Sequence, residues 1–290
     1  MKNITLLRAS LSLVFAIILA PFSKADVLID FNTATDFTSN FTEGSATGGT
    51  QFSYSAAGGI GSSGALGVSG SPEYISYNTP FSGIQGADGG GYTVSLFFKA
   101  STNTAGTGGN LSLALGLVAD TANSILMAGS NPGWIGMAIN AVSTTAGNST
   151  NFVLSFRSAD TVGSVNSAPQ SASFNLTNGN WYKFTTAFVY NSGTAKFTAV
   201  ATVEDYGASG ASLLSTVASY TPTTIAATTI ASSANLYAEL RTGNLAYAGT
   251  SAIDNLAVVS AIPEPSQAAI VVSLAALAGC LALHGRRRSD

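Results

Sequence analysis

Charge is scarce in this 290-residue chain: Asp, Glu, Lys and Arg together make up 9% of it, against about a quarter in an ordinary soluble protein. There is one cysteine, Cys280, and one histidine, His284, both within the last eleven residues. Everything before them therefore lacks a disulfide, a Cys/His zinc site, and a Ser-His-Asp or Cys-His catalytic set. A polysaccharide lyase with a histidine base is excluded on the same ground. Basic residues are also few. Between Asp26 and Ser260 only Lys99, Arg157, Lys183, Lys196 and Arg241 face twelve acids, a net charge of −7. Neutralising phosphates needs clustered Lys and Arg, so nucleic acid is not an expected partner. No long run with a 3.6-residue apolar period occurs between those limits, and no repeat of fixed period.

The chain does have short apolar or alternating runs separated by turn-forming tracts, with 31 glycines in all. This is the strand signature. Val27-Leu28-Ile29-Asp30-Phe31 opens the series. Tyr92 to Lys99 sets Tyr92, Val94, Leu96 and Phe98 on one face. Leu111, Leu113, Leu115 and Leu117 alternate with Ser112, Ala114 and Gly116. Trp181 to Tyr190 places Tyr182, Phe184, Phe188 and Tyr190 together, and Asn191-Ser192-Gly193 turns the chain into Thr194 to Tyr206, a hairpin. Further strands are expected at 51–56, 64–69, 74–78, 134–142, 152–158, 170–176, 235–241 and 252–259. Tracts rich in Gly, Ser, Thr and Asn at 57–64, 82–91, 101–110, 143–150 and 207–212 read as loops. A dozen strands without a repeat predict an all-β, two-sheet antiparallel β-sandwich over residues 26–260. A right-handed β-helix is the competing architecture. The opening Val-Leu-Ile-Asp-Phe run, Asn180-Trp181-Tyr182-Lys183-Phe184 and the closing Ala252 to Val258 run resemble the jelly-roll sandwiches of the concanavalin/laminin-G kind.

The two ends read differently. Lys2 and Arg8 precede an uncharged apolar stretch from Ala9 to Phe22, followed by Ser23-Lys24-Ala25. This is a signal-peptide pattern, with cleavage by signal peptidase expected after Ala25 and a mature start at Asp26. An uncleaved anchor is the alternative. Residues 261–290 contain Pro263-Glu264-Pro265, then sixteen uncharged residues from Ala268 to Leu283, then Arg286-Arg287-Arg288. The prolines keep the first part extended. The apolar part is expected to make a single transmembrane helix of about 24 Å, slightly short of a ~30 Å hydrocarbon core. The arginines form a cytoplasmic stop. Cys280 reads as a small buried apolar residue of that helix rather than an acylation site.

These three parts in this order resemble the PEP-CTERM sorting signal of Gram-negative bacteria. The resemblance implies recognition by an exosortase near Pro263, Glu264 and Pro265, with Arg286, Arg287 and Arg288 as the cationic stop. All six are substrate residues, not catalytic ones. It also implies an inner-membrane intermediate, followed by release to the cell surface or an extracellular exopolysaccharide matrix. A plain, uncleaved membrane anchor is the alternative.

For the body, a non-enzymatic role with glycan binding is expected. A retaining glycosidase needs two carboxyls about 5 Å apart, which on one strand means spacings that share a face. Glu204 and Asp205 are adjacent, and Glu73, Asp88, Asp120, Asp160 and Glu239 are isolated in sequence. A secreted carbohydrate-active enzyme therefore remains the alternative, with an adhesin or filament subunit as a third. Glycan binding uses exposed aromatics. Trp134, after the Asn131-Pro132-Gly133 turn, and Tyr77 are the first candidates, with Trp181 and Tyr206 behind them and core filling as the competing role. Asp30 and Asp254 lie on the expected first and last strands, which are neighbours in many jelly rolls. They could join a structural calcium site, which takes oxygen ligands, or be two solvated edge acids. No other cofactor is expected.

Overall fold

The computed structural model describes residues 27–45, 52–68, 73–101, 111–142, 151–242 and 249–260. The expected signal peptide with its Ala25–Asp26 cleavage point, and the sorting signal with Pro263, Glu264, Pro265, Arg286, Arg287 and Arg288, lie outside the described residues. Among those described, no helix is long and apolar enough to cross a membrane.

The strands are β1 (Val27–Ile29), β2 (Phe41–Ser45), β3 (Phe52–Ser55), β4 (Ala65–Val68), β5 (Glu73–Tyr77), β6 (Phe81–Ser82), β7 (Gly91–Ser101), β8 (Leu111–Val118), β9 (Trp134–Ala141), β10 (Asn151–Thr161), β11 (Ser164–Ser167), β12 (Phe174–Asn175), β13 (Trp181–Asn191), β14 (Lys196–Asp205), β15 (Ser215–Tyr220), β16 (Asn235–Thr242) and β17 (Gly249–Ser260). Two short helices join them, α1 (Ala34–Asn40) and α2 (Thr228–Ser232). Among the described residues the strands form two sheets. Sheet I has eight strands, in the order β15-β14-β13-β7-β17-β4-β3, with β1 on β17. Sheet II has nine, in the order β11-β10-β9-β8-β16-β5-β2, with β12 on β10 and β6 on β16. Every strand pair is antiparallel. The architecture is the expected all-β two-sheet sandwich, not a β-helix.

The alternating runs set the inner faces. Tyr182, Phe184 and Phe188 from β13 and Tyr92, Val94, Leu96 and Phe98 from β7 are buried, as their spacing predicts. Leu113, Leu115, Leu117, Ile135, Met137 and Phe156 from sheet II are buried as well. Phe156 stacks on Phe188 with ring centres 6.0 Å apart. A file of rings, Phe31, Phe41, Tyr77, Phe81 and Tyr92, closes one end, with successive centres 5.6–5.7 Å apart. Each buried aromatic or large aliphatic side chain contributes about 1.5–3 kcal/mol.

The predicted hairpin is present. β13 pairs with β14 from Tyr182↔Asp205 to Asn191↔Lys196. The Asn191 side chain accepts from the Thr194 backbone N–H at 2.9 Å and holds the turn. The expected strand at 170–176 shrinks to Phe174–Asn175. Before it Ser171 only runs beside β10, its N–H on the Leu154 carbonyl. Pro169 and the polar Gln170-Ser171-Ala172-Ser173 run favour irregular chain there. Strands β2, β6, β11 and β15 carry no clear apolar alternation, so they pass unseen in the sequence.

Candidate functional site

The outer faces of the two sheets differ. On sheet II the middle outward positions of β8 and β9 are small: Ala114 and Gly116 on one, Gly136 and Ala138 on the other, with Ala114↔Ala138 and Gly116↔Gly136 in register. The segment 119–133 folds back over them. The Leu126 side chain is fully buried directly above the two glycines. A Cβ at Gly116 would lie 2.8 Å from Leu126 Cδ1, and one at Gly136 only 2.5 Å from it. Only glycine leaves room for the leucine. Trp134, Ala138, Ala159 and Val118 complete the cluster, with Met127 and Tyr237 packed against it.

Polar groups lock this loop. Glu239, on β16, is 1% exposed. Its Oε1 accepts the Leu126 backbone N–H at 2.6 Å, and its Oε2 accepts the Ser76 hydroxyl at 2.7 Å. Arg241, two residues on and thus on the same face, donates to the Leu126 carbonyl at 2.9 Å. One residue of the loop is therefore gripped at both backbone groups. Burial raises the Glu239 carboxyl to about 7, against the lowering influence of Ser76, the Leu126 N–H and Arg241. Within the loop, Asp120 accepts from Asn123 Nδ2 at 2.5 Å and from the Ala122 N–H at 2.8 Å, and these bonds hold its carboxyl below the usual range. Glu239 has the raised basicity of many acid catalysts. Both its oxygens are engaged in positioning the loop, however, and among the described residues no group of three or more His, Cys, Asp or Glu gathers.

Trp134 and Tyr77, the expected glycan contacts, both lie in the interior. Trp134 is 0% exposed and its indole N–H donates to the Ala128 carbonyl at 2.9 Å. Tyr77 is 9% exposed within the ring file. Neither presents a face to solvent. The turn that precedes Trp134 belongs to the loop that covers it, so the chain folds over the indole instead of displaying it. Trp181 is likewise buried, whereas Tyr206 is half-exposed.

β1 and β17 are neighbours, with Ile29↔Leu256 in register. Asp30 is exposed and its Oδ2 accepts from Asn32 Nδ2 at 2.6 Å. Asp254 is buried. Its Oδ2 accepts the Ile60 N–H at 3.0 Å and the Ser63 hydroxyl at 3.1 Å, and its Oδ1 accepts the Asn255 N–H at 2.8 Å. Burial raises its carboxyl, with Asp30 adding a small push, while those three donors oppose it. Three N–H and O–H donors aimed at Asp254 suit a carboxylate that tethers the 3₁₀ turn Ile60–Ser62. They do not suit a cation, which needs six to eight oxygens turned inward.

The outer face of sheet I is open. Outward residues of β13 and β14, such as Thr185, Ala187, Val200 and Thr202, are half-exposed or exposed, Val200 at 46%. At one end a small aromatic patch interrupts this Thr/Ala/Val surface. Buried Trp181, Ala65 and Ala252 are capped by partly exposed Phe97, Tyr206 and Ile60. Phe97 and Tyr206 meet edge to face, ring centres 4.9 Å apart. In the register Trp181↔Lys99 and Lys183↔Phe97, each lysine lies over its cross-strand ring, Nζ 5.9 Å from the centre in both cases. Glu204 is the cross-strand partner of Lys183 on the other side. Asp205 accepts from Asn180 Nδ2 and from the Gly207 N–H. Sequence reasoning found Tyr206 but missed Phe97 and the lysines. Strand pairing alone brings them together across the sheet.

No protein-family model matches the sequence, and no curated protein matches it. Solved structures do resemble the fold. Winged bean acidic lectin, in complex with methyl-α-D-galactose, shares 12% identity over 83% of this chain and 100% of that chain, with a TM-score of 0.53. The carbohydrate recognition domain of Emp47p shares 10% identity over 84% of this chain and 99% of that one, TM-score 0.48. The CBM2 module of the Dit protein of Lactobacillus casei phage J-1 shares 11% over 83% and 97%, TM-score 0.48. The winged bean likeness establishes a legume-lectin-like jelly roll, in line with the expected concanavalin resemblance. Identities this low speak to fold alone.

Proposed function

We propose that this chain is an exported cell-surface or extracellular-matrix protein, sorted by an exosortase, whose β-sandwich body is non-enzymatic and binds glycan. The observation that carries the sorting reading is the order of parts at the C-terminus. Pro263-Glu264-Pro265, an uncharged apolar run over 268–283 and Arg286-Arg287-Arg288 follow one another, with a basic and then apolar run of signal-peptide pattern at the opposite end. Signal peptidase cuts after Ala25. The C-terminal helix holds the product in the inner membrane, and the exosortase releases the body at the Pro-Glu-Pro segment. The glycan reading of the body is supported by its fold, shared with a lectin whose structure contains methyl-α-D-galactose.

Replacing Pro263, Glu264 and Pro265 with alanine in the native host tests the sorting step. The variant is expected to accumulate in the inner membrane at the mass of residues 26–290, while the unaltered chain appears at the surface with a truncated C-terminus. Equal release of both would overturn it. An intact mass that retains residues 1–25 would overturn the N-terminal cleavage.

A further inference from the structure

We infer that the segment 119–133 is a strap over the outer face of sheet II, closed in acid and released as the pH rises, with the buried Glu239 carboxyl as its latch. The inference stands apart from the sorting and glycan readings. Other buried or partly buried carboxylates are engaged in fixed turns. Asp254 tethers Ile60 and Ser63. Asp160 accepts the Thr228 and Thr229 N–H groups at the start of α2, and Asp205 accepts from Asn180 and Gly207.

The strap is built to move as a unit. Its ends meet, the Ala119 N–H donating to the Gly133 carbonyl at 2.8 Å, which makes it an Ω-loop. Its own bonds give it shape: the Ser124 N–H to the Asp120 carbonyl at 3.0 Å, the Ala128 N–H to the Ile125 carbonyl at 3.0 Å, and Asn131 Nδ2 to the Asn123 carbonyl at 3.3 Å. Gly133 closes it at φ +87°, a conformation open to glycine. Between its ends the strap is fastened through Glu239 and Arg241 on Leu126, the Trp134 indole on the Ala128 carbonyl and the Gly163 N–H on the Gly129 carbonyl. Of these fasteners only Glu239 is a carboxyl.

Closing the strap strips water from that carboxyl, so burial favours its protonated form against the smaller pull of Ser76, the Leu126 N–H and Arg241. As an acid it keeps its grip, one oxygen accepting the Leu126 N–H while the other donates to Ser76 Oγ. As a carboxylate it gains most from water, and lifting the strap hydrates it while β16 stays paired with β5 and β8. The groups around it are few. β5 brings Ser76 and Tyr74, and β16 brings Arg241 and Tyr237. The strap brings Asp120, which Asn123 and Ala122 keep ionised. β10 brings Arg157, in register with Gly136 beyond the glycine floor. The middle of β8 and β9 offers only alanine and glycine.

The test is amide hydrogen exchange of the full chain in a non-ionic detergent from pH 5 to pH 8, read by mass spectrometry as protection factors, which remove the base-catalysed intrinsic rate. With Glu239 at 4.5 when hydrated and about 7 when covered, the open population is expected to rise about 70-fold across that range. Peptides within 120–130 are expected to lose protection by that factor. At every pH they are expected to exchange faster than β7 and β13, which open only with the whole sandwich. Glu239→Gln is expected to flatten the pH dependence, which also separates this carboxyl from His284, the only histidine. Ser76→Ala removes a donor that favours the carboxylate and is expected to move the midpoint to higher pH, and it serves if Glu239→Gln does not fold. Equal protection of strap and core strands at every pH would overturn the strap as a separate unit. An unchanged pH dependence in Glu239→Gln, or an unmoved midpoint in Ser76→Ala, would overturn Glu239 as its latch.

Discussion

In sheet II the central strands β8 and β9 are buried on both faces, whereas β13 and β14 in sheet I alternate between buried and half-exposed positions. Both pairs of strands contribute to one core. The difference lies in the outward residues. Gly116 and Gly136 on sheet II leave a recess that Leu126 fills, and Glu239 and Arg241 then hold that leucine by its own backbone. On sheet I the outward positions of β13 and β14, such as Thr185, Val200 and Thr202, carry larger side chains and stay half-exposed or exposed, while Trp181 is buried under Ile60, Phe97 and Tyr206. A sheet thus acquires a covered outer face by giving up side chains there, not by adding apolar ones. What stays uncovered is the surface available to a partner.

The comparison can be broken most severely at Gly116. A Cβ there would lie 2.2 Å from the Ile135 carbonyl oxygen as well as against Leu126. Gly116→Val is expected to cost about 3 kcal/mol or more, a fall of roughly 6–12 °C in Tm, read by thermal or urea unfolding. Loop displacement would appear as faster amide exchange at Leu126.

Next in size is the pH dependence of the closed face. The Glu239 carboxyl titrates near 7 when folded, against 4.5 as a model group. The folded state holds its proton more tightly, so this group's stabilisation is complete below about pH 4.5 and is lost as pH rises through 7. At 1.36 kcal/mol per pH unit the loss is on the order of 3 kcal/mol. Glu239→Gln keeps an acceptor for the Leu126 N–H and a donor for Ser76. It is expected to remove the decline between pH 5 and 8 and to equal or exceed the unaltered chain in stability at pH 8. Urea unfolding across that range checks both. An unchanged slope in the variant would place the titration elsewhere.

The open face should respond weakly. Val200→Thr removes an exposed methyl from sheet I and is expected to shift stability by no more than about 0.5 kcal/mol in the same assay. Smallest of all is the effect of chelation. Asp254 is engaged by three protein donors, so EDTA is expected to leave the Tm unchanged. A fall in Tm restored by calcium would return Asp30 and Asp254 to metal binding.

Much of the fold is legible in the residues. The alternations of Tyr92 to Phe98 and Tyr182 to Tyr190 fix which side chains face the core, because a period of two leaves no other choice. The hairpin at Asn191-Ser192-Gly193 follows from local turn chemistry. The shortage of histidine and cysteine limits the chemistry of the body by composition alone, since no folding can supply an imidazole or thiol that the strands do not carry.

The site was far less legible. Trp134 follows a turn and so suggested exposure, yet that turn ends the loop that buries it. Glu239 looked isolated because its partner Leu126 lies 113 residues away. Phe97 and Lys183 become neighbours only when β7 pairs with β13. Local sequence sets the path and the inward face of each strand, because those depend on neighbours one or two residues apart. Which outer face is covered, and which polar groups are consumed in covering it, depends on contacts between distant segments, and only the tertiary structure decides that.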